Sequence, residues 1–212
     1  MCVGIMHNLT RILPKLARTH KDMVRVLQEV HGSTDKDPLV QLTAGLALAN
    51  MFDVDGCDDV GLPTDKTTTD GVLHALRGVL GLLGTNYEVT FALEEPLQAL
   101  RAMVRGGGES GLAYLDASCA ATADGGGITT LVVCAVKRSV GVGDEGADVS
   151  ERSAWFATDI LAALVDAGKP PSATDEELKA ALSRVLELSS RGVAGMEAAV
   201  AAEYVRKKVW PE

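Results

Sequence analysis

Apolar residues recur along this chain at intervals of three and four, the spacing that lines up one face of an α-helix. Val3, Met6, Leu9, Ile12 and Leu13 keep that spacing with no capping side chain ahead of them, so a helix is predicted from Met1 or before it, ended by Pro14. A second helix follows from about Lys21 to His31, with Met23, Leu27 and Val30 on one stripe and Gly32 as its stop. Ser33 to Pro38 is a polar turn in which Asp37 can cap and Pro38 can take the first helical position, where its missing N–H costs nothing. The helix from Pro38 to Phe52 carries Leu39, Leu42, Leu46, Ala49 and Met51 or Phe52 on one stripe, while Ala44, Gly45 and Ala47 keep the other side thin enough for close helix approach.

Asp53 to Asp70 is rich in Asp, Gly, Thr and Pro and is predicted to be a loop, with the next helix starting at Gly71. Glu94, Glu95 and Pro96 suit the positive end of a helix dipole, and Leu97, Leu100, Met103 and Val104 supply that helix's apolar face as far as Gly106. Another helix is predicted from about Ser110 to Ala123. Ile128 to Ser139 fits two patterns: Ile128, Leu131, Val132, Ala135 and Val136 match a helix, while Thr129, Thr130, Val132 and Val133 suit a buried strand. We take it as helix because its neighbours are helical. Ser150 or Asp148 caps a helix in which Trp155, Ile160, Leu161 and Leu164 point inward, and Thr174 to Glu177 has the form of a capping box. The last helix, about Val193 to Val209, ends in Arg206, Lys207 and Lys208 and is expected to be polar enough on one side to cap a stack.

Composition narrows this picture. The chain of 212 residues is 47% hydrophobic but only 4% aromatic, so its core must be built from Leu, Val, Ala and Met, as in closely packed helices. One domain over residues 1–212 is expected, with a sub-boundary in the loop 53–70 and capping helices over 174–209. A net charge of −9 argues against a sequence-independent grip on nucleic acid. Cys2, Cys57, Cys119 and Cys134 are dispersed without C-x-x-C spacing, which points to reduced thiols in the cytoplasm. The apolar stretch from Gly71 to Leu83 is broken by His74 and Arg77 and is too short to span a membrane, and no secretory leader pattern stands at the N-terminus.

A search for chemistry returns little. Asp53 to Asp59 hints at a cation loop, but its glycine comes too early and Thr64 stands where a bidentate glutamate is needed. The glycine clusters at 106–108, 125–127 and 141–143 are not followed by Lys-Ser or Lys-Thr, and Ser110 is not in G-x-S-x-G. His7, His20, His31 and His74 form no metal-ligand spacing. No catalytic, metal or cofactor residue is therefore assigned, and an enzyme is not expected.

Repetition is the more informative signal. The first helix contains Met6-His7-Asn8-Leu9 and the helix from Pro38 to Phe52 contains Leu48-Ala49-Asn50-Met51, which places Asn8 and Asn50 42 residues apart, within the period of stacked helical repeats of about 40 to 47 residues. Over Lys15 to Phe52, M-V-R-V-L-Q-E-V, a polar turn and Q-L-T-A-G-L-A-L-A-N-M together resemble the second and third helices of one unit of the armadillo-repeat superfamily. The resemblance implies an all-α, right-handed α-solenoid of armadillo-like helical repeats, one well-formed and three degenerate. It also implies that Asn8 and Asn50 could bond the backbone of an extended peptide. No third asparagine stands near residue 92 and no tryptophan accompanies the two, so binding of a nuclear signal is not implied.

The function expected is that of a non-enzymatic scaffold or adaptor whose partner is another protein or an extended peptide. Its uncapped first helix would be covered by a partner, a longer chain or a second copy, because it leaves apolar surface open. Two alternatives are an α/β enzyme or small-ligand-binding domain with Ile128 to Val142 as a central strand, and a fixed structural subunit of a large assembly.

Overall fold

A computed structural model describes residues 3–51, 66–83, 91–106, 127–143 and 149–211, together with Leu112, Leu115 and Cys119. The described residues form α-helices joined by turns, with no strand among them. The helices are α1 (Val3–Ile12), α2 (Pro14–Thr19), α3 (Lys21–His31), α4 (Pro38–Asn50), α5 (Lys66–Val79), α6 (Glu94–Gly106), α7 (Ile128–Ser139), α8 (Glu151–Asp166), α9 (Glu176–Glu187) and α10 (Gly192–Val209). Most of the loop expected over 53–70 lies outside the described residues, as does the helix expected over 110–123 except for Leu112, Leu115 and Cys119, which are helical.

Several local expectations hold for the reasons given. Asp37 accepts a bond from the Leu39 N–H at 2.8 Å and Pro38 opens α4; Ser150 caps α8 through the Ser153 N–H. Ile128 to Ser139 is helical, burying Ile128, Leu131, Val132, Ala135, Val136 and Ser139, so the central strand of the α/β alternative is absent. The glycine pair at 141–143 is a helix stop rather than a phosphate cradle. Gly141, at φ 67°, lets its own N–H reach the Arg138 carbonyl and the Val142 N–H reach that of Lys137. Gly168 ends α8 in the same way.

Other expectations need correction. Pro14 does not stop the chain but opens α2: the Leu13 N–H still bonds the Leu9 carbonyl and the Ala17 N–H bonds the Leu13 carbonyl, so a second short helix follows directly. α5 begins at Lys66 rather than Gly71; Thr68 and Thr69 are buried in it. The cap of α9 is Asp175, whose carboxylate accepts from the Leu178 N–H at 2.9 Å, while Thr174 bonds Ser172 instead of closing a box.

α4 differs most from the sequence pattern. Every residue from Ala44 to Met51 is buried, the thin side included, whereas Leu39 at the start of the expected stripe is exposed. A helix apolar all round belongs in an interior, and α4 is packed by α1, α3, α5 and α6. α8 has the same standing in the second half, against α6, α7 and α10. The main packing order is thus α1, α4, α6, α8, α10.

α6 joins the halves through polar clasps at both ends. At its start, the Arg11 guanidinium of α1 donates to Glu94 at 2.6 Å, to Glu95 at 3.3 Å and to Gln98 at 3.2 Å. Burial, partly offset by Arg11 and reinforced by Glu94, holds the Glu95 carboxyl above its ordinary value. At the other end Arg101 and Arg105 both bond Asp159 of α8, and Arg101 also lies over the Trp155 ring at 4.9 Å from its centre.

Candidate functional site

The two asparagines singled out by the repeat spacing occupy unlike environments. α1 turns Met6, His7 and Thr10 inward and leaves Ile5, Asn8 and Ile12 outward, as the helical period requires. Asn8 is exposed. Asn50 is buried at 3% exposure where α4 meets α1, and its amide Nδ2 donates to Thr10 Oγ1 at 3.4 Å. The Thr10 hydroxyl itself donates to the His7 carbonyl at 2.8 Å. A peptide lying on the surface reaches Asn8, but it reaches Asn50 only if α1 lifts away.

On the same buried side of α1 as Thr10 lies His7, at 4% exposure, whose Nε2 is enclosed without a hydrogen-bond partner, as is Asn50 Oδ1. Burial, then the charge of Arg11, lowers its pKa to about 4, so the ring is neutral at pH 7. This internal seam gives the asparagine at position 50 a role without a ligand: its amide N–H ties α4 to the Thr10 hydroxyl of α1.

A cavity of about 350 Å³ opens where α3, α4 and α5 converge, lined by His31, Gln41, Leu42, Asp70 and His74 among others. His31 Nδ1 lies 3.0 Å from the Gln41 carbonyl, which can only accept, so Nδ1 carries a proton; Nε2 is enclosed and without a partner. The ring fits because Gly45 and Gly71 present no side chain to it: a Cβ on Gly45 would stand 2.9 Å from His31 Cε1. Partial burial and Arg77 lower the His74 pKa. The lining has no Ser, Thr, Cys or Lys among the described residues. No group of three or more His, Cys, Asp or Glu among the described residues could hold a metal ion.

The most prominent surface features are two open apolar rows. On α1 and α2, Ile5 is 63% exposed, Ile12 75%, Leu13 47% and Leu16 49%, with Asn8 between the first two. On α10, Val193 is 72% exposed, Met196 50% and Val200 64%, spaced i, i+3 and i+7 on one face. The outer side of this last helix, expected to be a polar cap, therefore carries an apolar row as well. Its tip borders a groove of about 740 Å³ where Lys179, Arg206 and Lys207 stand near Trp210, whose indole N–H donates to the Ala173 carbonyl at 2.6 Å.

The row on α10 is visible in the sequence as V-x-x-M-x-x-x-V, but the pattern does not say which of its faces is covered. No known protein family, curated protein or solved structure matches the chain. Among the described residues, no helix is long and apolar enough to cross a membrane.

Proposed function

We propose that this chain is a non-enzymatic interaction scaffold of armadillo-like helical repeats, coiled as a right-handed solenoid, that holds another protein or an extended peptide against its first helices. The observation that carries the reading is the row of Ile5, Ile12, Leu13 and Leu16, open to solvent and interrupted only by Asn8 and Lys15 on its polar margin. Single exposed apolar residues are ordinary on protein surfaces; a run of four large ones within 12 residues is the mark of a contact face. Asn8 offers a donor and an acceptor to a peptide group in the middle of that row. Asn50 serves the same surface indirectly, by fixing α1 on α4. The dispersed cysteines favour a reducing, cytoplasmic setting.

The test is affinity capture from native extract with the intact chain and with an Ile5→Asp/Ile12→Asp variant, proteins being identified by mass spectrometry. Loss of specific partners from a variant that keeps its helix content and melting temperature supports the reading. An unchanged set of captured proteins would sink it.

A further inference from the structure

We propose that the groove between α9 and the end of α10 binds a small phosphate monoester that carries a flat ring, with Arg206 and Lys179 taking the phosphate and Trp210 the ring. The groove lies away from the first helices, so this site stands or falls independently of the scaffold reading.

Arg206 is the starting observation. Among the described residues every other arginine has a hydrogen bond, an ion pair or a ring contact. Arg206 has none, although it is partly buried in the groove lining. A guanidinium with its fork of N–H donors unengaged in a concave, half-dry place is a natural seat for a phosphate, which it can hold through two oxygens at once. Lys179 of α9 lines the same groove, is also partly buried, and has no partner among the described residues. The carboxylates closest to it in the chain do not neutralise it, because Asp175 and Glu177 both bond Lys137, at 2.9 and 3.1 Å.

Helix dipoles do not account for this pair. Lys207 and Lys208 already serve the negative end of α10, the first bonding Glu203 at 3.2 Å and the second lying 5.6 Å from the centre of the Tyr204 ring. Lys179 stands in the first turn of α9, the positive end of its helix, where a cation is unfavourable. Glu203 and Lys207 also line the groove and offset each other, so Arg206 and Lys179 leave two positive charges there, in a chain of net charge −9. A phosphate monoester brings close to two negative charges at neutral pH.

The rest of the wall is Trp210 and Pro211. The Trp210 indole N–H donates to the Ala173 carbonyl at 2.6 Å and its backbone N–H to the Arg206 carbonyl at 2.9 Å, which hold the ring in place before any ligand arrives. A fixed indole is a ready surface for another flat ring. At about 740 Å³ the groove is of the size that takes a whole small molecule, about 300 to 1,000 Å³, and has more room than a bare phosphate needs.

The experiment is isothermal titration of the full chain with adenosine 5′-monophosphate and with phenyl phosphate, against adenosine and inorganic phosphate as ring-only and charge-only probes. Tryptophan fluorescence in a Trp155→Phe background, where Trp210 alone reports, locates the binding. At least one ring-bearing phosphate should bind with Kd below about 1 mM, quench Trp210, and exceed both adenosine and inorganic phosphate by about tenfold or more. Preference for the nucleotide assigns the ligand to nucleotides and preference for phenyl phosphate to aryl phosphates, and either supports the site. Arg206→Gln and Lys179→Gln should each weaken binding at least about tenfold while keeping the native melting temperature, since neither side chain has a protein contact to lose. Absence of saturable binding by both ring-bearing phosphates overturns the proposal. So does binding that either variant leaves unchanged, or that adenosine or inorganic phosphate matches.

Discussion

His7 gives the sharpest quantitative test of the fold. Its imidazole lies at 4% exposure between α1 and α4, and its pKa is lowered from 6.5 to about 4, by burial first and by Arg11 second. In the unfolded chain the ring takes up a proton near pH 6.5, whereas in the folded chain it resists until about pH 4. The unfolded state therefore binds more protons throughout that window, and stability falls as pH drops from 6.5 towards 4. A gap of this size amounts to about 2 kcal/mol by pH 5 and to roughly 3 kcal/mol once both forms are protonated. The perturbation is His7→Leu, which fills a similar volume, breaks no side-chain bond of the imidazole's Nε2, and cannot titrate. Urea unfolding of both proteins at pH 7.5 and pH 5 is the assay. The native protein should lose about 2 kcal/mol more than the variant between those two values. Glu95 and every other titrating group are common to both proteins and cancel in the comparison. Equal losses in the two proteins would show that His7 is hydrated, and the α1–α4 seam described above would be wrong.

Three further outcomes follow from particular contacts. Gly45→Ala should destabilise by about 1 kcal/mol, because the new Cβ meets the His31 ring, yet in a His31→Ala background it should stabilise through helix propensity; the same sign in both backgrounds would remove the His31 argument. Gly195→Ala should cost about 2 kcal/mol or more by chemical denaturation, since its Cβ would be driven into the backbone carbonyl of Leu188, and a neutral result would mean that α10 does not pass so close to that turn. Asp175→Ala should cost about 1 kcal/mol by removing the cap of the Leu178 N–H and the 2.9 Å ion pair with Lys137. Burial raises the Asp175 pKa, but the Leu178 N–H and Lys137 outweigh it and hold the value low. Its contribution is therefore present at neutral pH and lost as pH falls through that depressed value, so an Asp175→Ala penalty that persists undiminished in strong acid would refute the cap.

What the sequence determined by itself is local. Helical period, the Asp37 and Ser150 caps, Pro38 at a first helical position and Gly32 as a stop all act within a few residues, so α3, α4, α6 and α10 are legible within a residue or two. The same short reach explains the errors. A proline is a stop or a start depending on where the chain goes next, so Pro14, read as a stop, is the first residue of α2, and a threonine-rich stretch such as Thr67 to Thr69 becomes helical only when buried neighbours hold it. Tertiary structure alone decided that α4 is enclosed on every side from Ala44 onward, that Asn50 faces Thr10 while Asn8 faces water, and that His31 slots against Gly45. Spacing of 42 residues made the asparagines look equivalent, but equivalence along a chain fixes neither depth nor company. Which face of a helix is covered depends on helices far away in sequence. The open rows on α1 and α10 could therefore be recognised only after the packing of the rest had left them uncovered.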